Sequence, residues 1–198
     1  MTNLVLQLRK LSGIEVVASR AHRRVMVVVA FALLTALSAY VAVPIPGTQV
    51  PVTLQTLVVV LSGALLGPGL GAAAQATYLT AGMLGAPVFS GGAAGLGWLF
   101  GPTGGYLLAF PAAAAVVGVL AGRGGTGGVL AAARLGVALL AGVFLIFAGG
   151  AAQLAILTGD AAAAIRLGVV PFLVGEAAKL LAALAIAARL RNRTLELV

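Results

Sequence analysis

Residues 171–190 read PFLVGEAAKLLAALAIAARL, and this stretch decides the fold. It is almost wholly apolar, and about 20 such residues are enough for an α-helix to cross the hydrocarbon core of a bilayer. Near its start it nevertheless carries Glu176 and Lys179, three residues apart. The stretch predicts a membrane-spanning helix that must accommodate an acid and a base.

The composition of the whole chain points the same way. Of its 198 residues, 62% are hydrophobic and only 8% are charged, whereas soluble domains carry about 25% charged residues. A chain within lipid must satisfy its own backbone hydrogen bonds, which leaves helices or a closed barrel. The apolar runs are continuous and rich in Ala and Leu, so we predict an all-α membrane protein that forms a single integral-membrane domain, residues 1–198.

The apolar runs predict six membrane-spanning segments. The second and third are short for a simple crossing, and Gly67-Pro68-Gly69 between them predicts a tight turn. The bundle occupies residues 25–190, with a cytoplasmic or interfacial segment, 1–24, before it and a cytoplasmic tail, 191–198, after it. The predicted spans are residues 25–43, 54–67, 70–85, 103–121, 129–157 and 169–190.

The basic residues predict the orientation of the bundle. With six spans, ten of them fall on one side, Arg166 falls on the other, and Lys179 lies within a span. Cytoplasmic loops carry the excess of Lys and Arg, so both termini are expected in the cytoplasm. The ten are Arg9, Lys10, Arg20, Arg23, Arg24, Arg123, Arg134, Arg189, Arg191 and Arg193.

Two N-terminal features have competing interpretations. Residues 20–43 resemble a secretory signal peptide, although the apolar run is long for one. Residues 4–17 are compatible with a short interfacial helix, because leucines recur at helical spacing, or with a disordered tail.

Two outer loops differ from ordinary linkers. Residues 43–53, VPIPGTQVPVT, are stiffened by three prolines. Residues 86–106, APVFSGGAAGLGWLFGPTGGY, are long, rich in glycine and without charge. Such an apolar loop must fold back on the helices or the membrane, which predicts either a mobile lid or a rigid re-entrant plug.

Glu176 and Lys179 are the strongest candidates for a functional site. Three residues apart on a helix, they share one face, and that face must point inward because a charge facing lipid costs several kcal/mol. They form either a structural ion pair or one wall of a ligand cavity. A carboxylate accepts hydrogen bonds and an ammonium donates them, which suits a urea or amide group.

A few other polar residues are expected at the same depth in the membrane as Glu176, near the outer ends of their spans. Thr53, Gln55 and Gln153 are candidates for ligand contacts, although each is equally explained by hydrogen bonds between packed helices. Gly104 and Gly105 begin the fourth span, where free amides either bind an anion or are simply capped.

Several kinds of function lack their residues. There is no cysteine, the single histidine, His22, lies on the opposite side from the acid–base pair, and no acidic cluster suggests a metal site. The glycine-rich stretch 122–128 lacks the lysine of a P-loop, so we expect no ATP hydrolysis by this chain. These observations favour a binding protein for an organic solute over a membrane enzyme or a structural subunit.

Four segments closely resemble the BioY family, the biotin-specific substrate-capture (S) components of energy-coupling factor (ECF) vitamin transporters. The resemblance implies six helices, an outer ligand site covered by two loops, and biotin as the ligand. It also implies location in a bacterial-type cell membrane, a transmembrane coupling subunit and a pair of cytoplasmic ATPases as partners, and no cofactor in this chain. The segments are VPVTLQTL (50–57), LLGPGLGA (65–72), GAPVFSGGAAGLGWLFGPTGGYL (85–107) and PFLVGEAAK (171–179).

The resemblance also implies roles for individual residues. Glu176 stands where the family usually has Asp, and Lys179 matches the family, so the two would form the polar floor of the pocket. Ala32 and Ala36 match an Ala-x-x-x-Ala pattern that docks the coupling subunit. The expected walls and loop contacts are Phe89, Ser90, Gly92, Ala93, Trp98 and Tyr106.

Two departures from the family concern the ligand's carboxylate. Ala93 replaces a frequent Asn or Ser, and Leu107 replaces an Arg found in some relatives, which leaves the carboxylate without an evident side-chain partner.

The alternative to biotin capture is capture of a different vitamin on the same architecture, such as thiamine or riboflavin.

Overall fold

The computed structural model describes residues 2–122 and 128–197, and within them the chain is mostly helical. Short 3₁₀ turns, Ser90–Gly92, Leu96–Phe100 and Val170–Phe172, interrupt the connections. The helices are α1 (Thr2–Tyr40), α2 (Gln55–Met83), α3 (Gly104–Ala121), α4 (Val129–Thr158), α5 (Ala161–Gly168) and α6 (Leu173–Leu197), and two short strands, β1 (Ala42–Val43) and β2 (Val52–Thr53), pair antiparallel.

Five of the described stretches are long and apolar enough to cross a membrane, which confirms a multi-pass helical membrane protein. Helix α1 is continuous from Thr2, so residues 4–17 belong to the same helix as the first span rather than to a separate one. The five stretches are Arg20–Tyr40, Gln55–Met83, Gly104–Ala121, Val129–Thr158 and Ala161–Arg191.

Helix α2 is folded into a hairpin of two short helices, residues 55–66 (α2a) and 68–83 (α2b). Gly67 breaks the helix with φ 81° and ψ 178°, a conformation that glycine adopts without strain. The Nε2 atom of Gln75 donates to Ser62 Oγ at 3.1 Å, and Gly71 packs so closely on Gly63 that a Cβ there would lie 2.9 Å from the Gly63 backbone. The break and the two short helices were predicted from Gly67-Pro68-Gly69.

A buried polar network attaches α1 to this hairpin. Thr35 Oγ1 donates to Gln75 Oε1 at 3.2 Å, and both side chains are fully buried. Ala32 and Ala36 lie on the same side of α1 and belong to the core, each with only 7% of its surface exposed. These small residues permit close helix contact inside this chain. Their role in docking a coupling subunit stays a prediction.

Two arginines close the end of the bundle opposite the two loops. Arg191, although charged, is buried and donates from Nε to the carbonyl of Ala64 at 3.0 Å and from a terminal nitrogen to that of Gly122. Arg134 donates to the carbonyl of Leu120 at 2.7 Å. Guanidinium groups here satisfy carbonyls at the C-terminal ends of α2a and α3, where a positive charge is favourable. Arg123, predicted to belong to this basic end, lies outside the described residues.

Candidate functional site

A cavity of about 60 Å³ lies at the other end of the bundle, beneath the two loops; we call it the inner cavity. Its walls are mainly apolar and aromatic, and they come from both loops and from α3, α4 and α6. Its polar groups are few and sit mostly at the start of α2 and on α6. The aromatic lining consists of Trp98, Tyr106, Phe110, Phe147 and Phe172, and the polar lining of Thr53, Gln55, Thr56, Ser90, Thr103, Glu176 and Lys179.

Glu176 and Lys179 form a buried ion pair in this wall. Lys179 Nζ lies 2.5 Å from Glu176 Oε2, and the two side chains are 10% and 5% exposed, respectively. The same ammonium donates to the carbonyl of Thr53 at 3.0 Å and to Thr56 Oγ1 at 2.7 Å. The ammonium is therefore held by one ion pair and two hydrogen bonds.

Glu176 differs from Lys179 in keeping unused hydrogen-bonding capacity. Its Oε2 atom is buried, and apart from the ion pair it has no hydrogen-bond partner among the described residues. A buried acceptor without a partner costs about 1–3 kcal/mol, so such atoms are usually satisfied by something that binds there. The carboxylate therefore suits a ligand that offers N–H donors.

A chain of hydrogen bonds links the start of α2 to both outer loops. Thr53 Oγ1 donates to Gln55 Oε1 at 3.2 Å, and Gln55 Nε2 is 2.6 Å from the Tyr78 hydroxyl. That hydroxyl donates to the carbonyl of Val88 in the second loop at 3.2 Å. Because Lys179 also holds the carbonyl of Thr53, the ion pair and the two loops belong to one connected network.

Gln153 holds the second loop from below. Its Nε2 atom donates to the carbonyls of Leu99 and Gly101 at 2.9 and 2.6 Å. Phe89, also in this loop, is fully buried and packs edge-on against Tyr78 with ring centroids 5.7 Å apart. The loop is thus attached at both of its ends, and its middle carries Trp98 over the inner cavity.

Helix α5 borders the site from the outer side. The Tyr106 hydroxyl donates to the carbonyl of Gly168 at 2.7 Å, which holds the end of α5 against the lining. Asp160 caps the start of α5 by accepting hydrogen bonds from the amides of Ala163 and Ala162 at 3.0 and 2.8 Å. The hydrogen bond from Ala163 is the main reason why the pKa of Asp160 lies below its usual value.

The structure brings together seven of the eleven residues predicted to contact a ligand. Among the other four, Gln153 and Phe89 fix the second loop, as described above. Gly92 and Ala93 form the turn of that loop, in which the Gly92 amide donates to the carbonyl of Phe89 and the Phe89 amide to that of Ala93. The seven in the lining are Thr53, Gln55, Ser90, Trp98, Tyr106, Glu176 and Lys179.

Two polar lining residues were missed from the sequence. Thr56 lies one turn beyond Thr53, so the depth argument that selected Thr53 and Gln55 would have found it as well. Thr103 precedes Gly104 and Gly105, and its Oγ1 atom is buried without a hydrogen-bond partner in the described part of the chain. The apolar lining residues carried no signal, since the chain is apolar throughout. No cluster of three or more potential metal ligands occurs among the described residues.

This arrangement defines a class of protein: a multi-pass helical membrane protein with a cavity beneath two loops that is suited to a small organic solute. A family model described as the BioY family matches residues 9–196. The chain belongs to the BioY family.

Two curated relatives match over nearly their whole length. The probable biotin transporter BioY of Pyrococcus horikoshii is 39% identical over 172 residues, which cover 87% of this chain and 98% of the relative. The biotin transporter BioY of Thermotoga maritima is 37% identical over 166 residues, which cover 84% and 94%.

A solved structure has the same fold. The crystal structure of the S-component for biotin from an ECF-type ABC transporter superposes with a TM-score of 0.78 at 25% identity. The match covers 86% of this chain and 92% of that one.

Proposed function

We propose that this chain captures biotin from outside the cell and delivers it across the cell membrane as the substrate-specific subunit of an ECF-type transporter. The single observation that carries the proposal is the Glu176 Oε2 atom, which is buried in the wall of the inner cavity, ion-paired with Lys179, and without a hydrogen-bond partner among the described residues. The names of the family and of its curated relatives support biotin as the ligand.

The chemistry of the cavity fits the two ends of a ureido ring. The ring N–H groups would donate to Glu176, which accepts hydrogen bonds only. The ring carbonyl would accept from Gln55, whose amide nitrogen has a second proton besides the one directed at Tyr78. The aromatic lining would enclose the apolar part of the bicycle, since ligand pockets combine apolar walls with a few placed polar groups.

The basic residues support an orientation for the protein in the cell membrane. In the proposed arrangement, α1, α2a, α2b, α3, α4 and α6 cross the membrane, and both termini lie in the cytoplasm. Arg134 and Arg191 lie at the cytoplasmic end, in agreement with the excess of positive charge on that side. The two loops then lie outside, where they cover the cavity and meet the ligand first.

The proposal includes partners that supply energy. The sequence has no P-loop, so ATP would be hydrolysed by a pair of cytoplasmic ATPases joined to this chain through a transmembrane coupling subunit. No cofactor in this chain is needed for capture.

Titration calorimetry on the detergent-purified chain tests the ligand. Biotin, thiamine and riboflavin are titrated separately, and we expect biotin alone to bind, at one molecule per chain. Glu176→Gln should weaken that binding, whereas Asp160→Asn, the same chemical change outside the cavity, should not. Binding of thiamine or riboflavin instead would select the other-vitamin alternative, and the absence of all three would refute capture.

A second measurement separates transport from chemistry. Mass spectrometry of the ligand recovered after incubation should return unchanged biotin, and a modified product would indicate a membrane enzyme. Uptake of labelled biotin by cells that express the chain with a coupling subunit and its ATPases should exceed uptake by cells with the Glu176→Gln variant.

A further inference from the structure

A second cavity, of about 210 Å³, lies between the two outer loops; we call it the outer cavity. It shares a wall with the inner cavity, formed by Val50, Pro51, Ser90, Trp98 and Thr103, which line both. The first loop adds Thr48 and Gln49 to its lining. A ligand that fills the inner cavity and has a flexible extension can therefore continue directly into the outer cavity, between the two loops.

The lining of the two cavities contains one cation, Lys179, and it is paired with the Glu176 carboxylate. The outer cavity is lined by neutral residues only, and the inner cavity contributes Lys179. Its ammonium is ion-paired with Glu176 and donates to the carbonyl of Thr53 and to Thr56 Oγ1. A carboxylate at the far end of the ligand thus finds no charged partner among the described lining residues.

From these observations we propose that the outer cavity is a second subsite for the ligand's acyl chain. This subsite accepts the chain whether its terminal group is charged or neutral. The substrate class is then wider than biotin itself, and includes biotin derivatives whose carboxylate is converted to an amide or ester. This inference rests on the proposed function, because the ureido ring must occupy the inner cavity first.

The lining of the outer cavity offers neutral hydrogen-bonding groups to the terminal group of the acyl chain. Thr103 Oγ1 lies in the shared wall, buried and without a partner among the described residues. A hydroxyl donates to a carboxylate, an amide carbonyl or an ester carbonyl alike. The exposed side chain of Gln49 and the solvent at the mouth of the outer cavity serve both kinds of terminal group in the same way.

Calorimetry with biotin, biotinamide and biotin methyl ester on the wild-type chain tests the proposal. Loss of a hydrogen bond to a charged partner would weaken binding by roughly tenfold or more. We expect both derivatives to bind less than tenfold more weakly than biotin. A weakening of tenfold or more for either derivative would overturn the inference, because it would reveal a charged partner for the carboxylate.

The variant Ser90→Lys is the matched positive control. Ser90 is half-buried and lines both cavities, so the new ammonium should face the terminal group. We expect this variant to prefer biotin over biotinamide by roughly tenfold or more. If it binds the two equally, the chain end does not pass the shared wall and the subsite is misplaced. Failure of biotin itself to bind the wild type would instead refute the proposed function.

Discussion

Separate and combined replacement of Glu176 by Gln and Lys179 by Met would show what the buried ion pair contributes. Each single change leaves one charge without its partner in a site where the side chains are at most 10% exposed. Removing one partner of a buried pair destabilises a protein by about 3–5 kcal/mol, whereas replacing both by neutral groups is often nearly neutral. The double variant should therefore regain most of the stability that either single variant loses.

Ligand affinity should follow a different pattern. Glu176 is the member of the pair with an unused acceptor, so Glu176→Gln should lose a charge-assisted hydrogen bond to the ligand. Such a bond is worth about 1.5–3 kcal/mol, which corresponds to roughly a 10- to 150-fold loss of affinity. The double variant lacks the same carboxylate, so its affinity for biotin should stay low although its stability recovers.

Thermal unfolding in detergent and calorimetric titration with biotin measure the two quantities on the same samples. Thr77→Val serves as the control, because Thr77 is exposed on α2b and donates only to its own helix, at the carbonyl of Ala73. Affinity near that of the wild type in the double variant would refute the reasoning, and would show that the pair is purely structural.

Three further predictions concern α1 and the second loop. Ala36→Trp should overfill the core, so that biotin binding and uptake fall together, while Leu37→Trp on the exposed face should spare binding. Loss of uptake alone in Ala36→Trp would contradict this and would support the docking role. The inner cavity of about 60 Å³ is smaller than the roughly 150 Å³ cavity known to hold benzene, so the lining that includes Trp98 must move when biotin enters. Biotin should therefore change the emission of Trp98, the only tryptophan, and the change should saturate at one ligand per chain. A flat titration with binding confirmed independently would indicate a rigid plug. Gly82→Ala should weaken biotin binding, since its Cβ would collide with the buried Phe89 ring, and unchanged affinity would show that the loop tolerates the displacement.

Much of the fold could be predicted because the membrane restricts the possibilities. Long apolar runs must be helices where no water can satisfy the backbone, and Gly67-Pro68-Gly69 could only interrupt such a run. The first span was placed within a few residues of Arg20–Tyr40 by the same argument. The inward orientation of Glu176 and Lys179 could be predicted from the free-energy cost of exposing a charge to lipid, since two charges three residues apart can avoid lipid only by facing inward.

The remaining features depend on tertiary contacts that have no local signal. Gln153 lies at the predicted depth, but its amide is turned to the carbonyls of the second loop and not into the inner cavity. Ala32 and Ala36 have the spacing of a helix-contact motif, which does not say whether the contact lies within the chain or with a partner. Depth along a helix is readable from sequence, whereas the direction of a side chain around it depends on the neighbours.

The contacts of Lys179 bear on the separate roles of the acid and the base. From sequence, both charged groups were expected to contact the ligand, and the Lys179 ammonium is also ion-paired with Glu176 and bonded to Thr53 and Thr56. These contacts hold the carboxylate and the end of the first loop together, and direct donation from Lys179 to the ligand stays a prediction. A ligand that donates to Glu176 binds at one end of the network that continues through Thr53 and Gln55 to the second loop. Since a ligand shifts an equilibrium only by its differential affinity for the two states, closure of both loops over the cavity would follow from contacts that only the closed form can make.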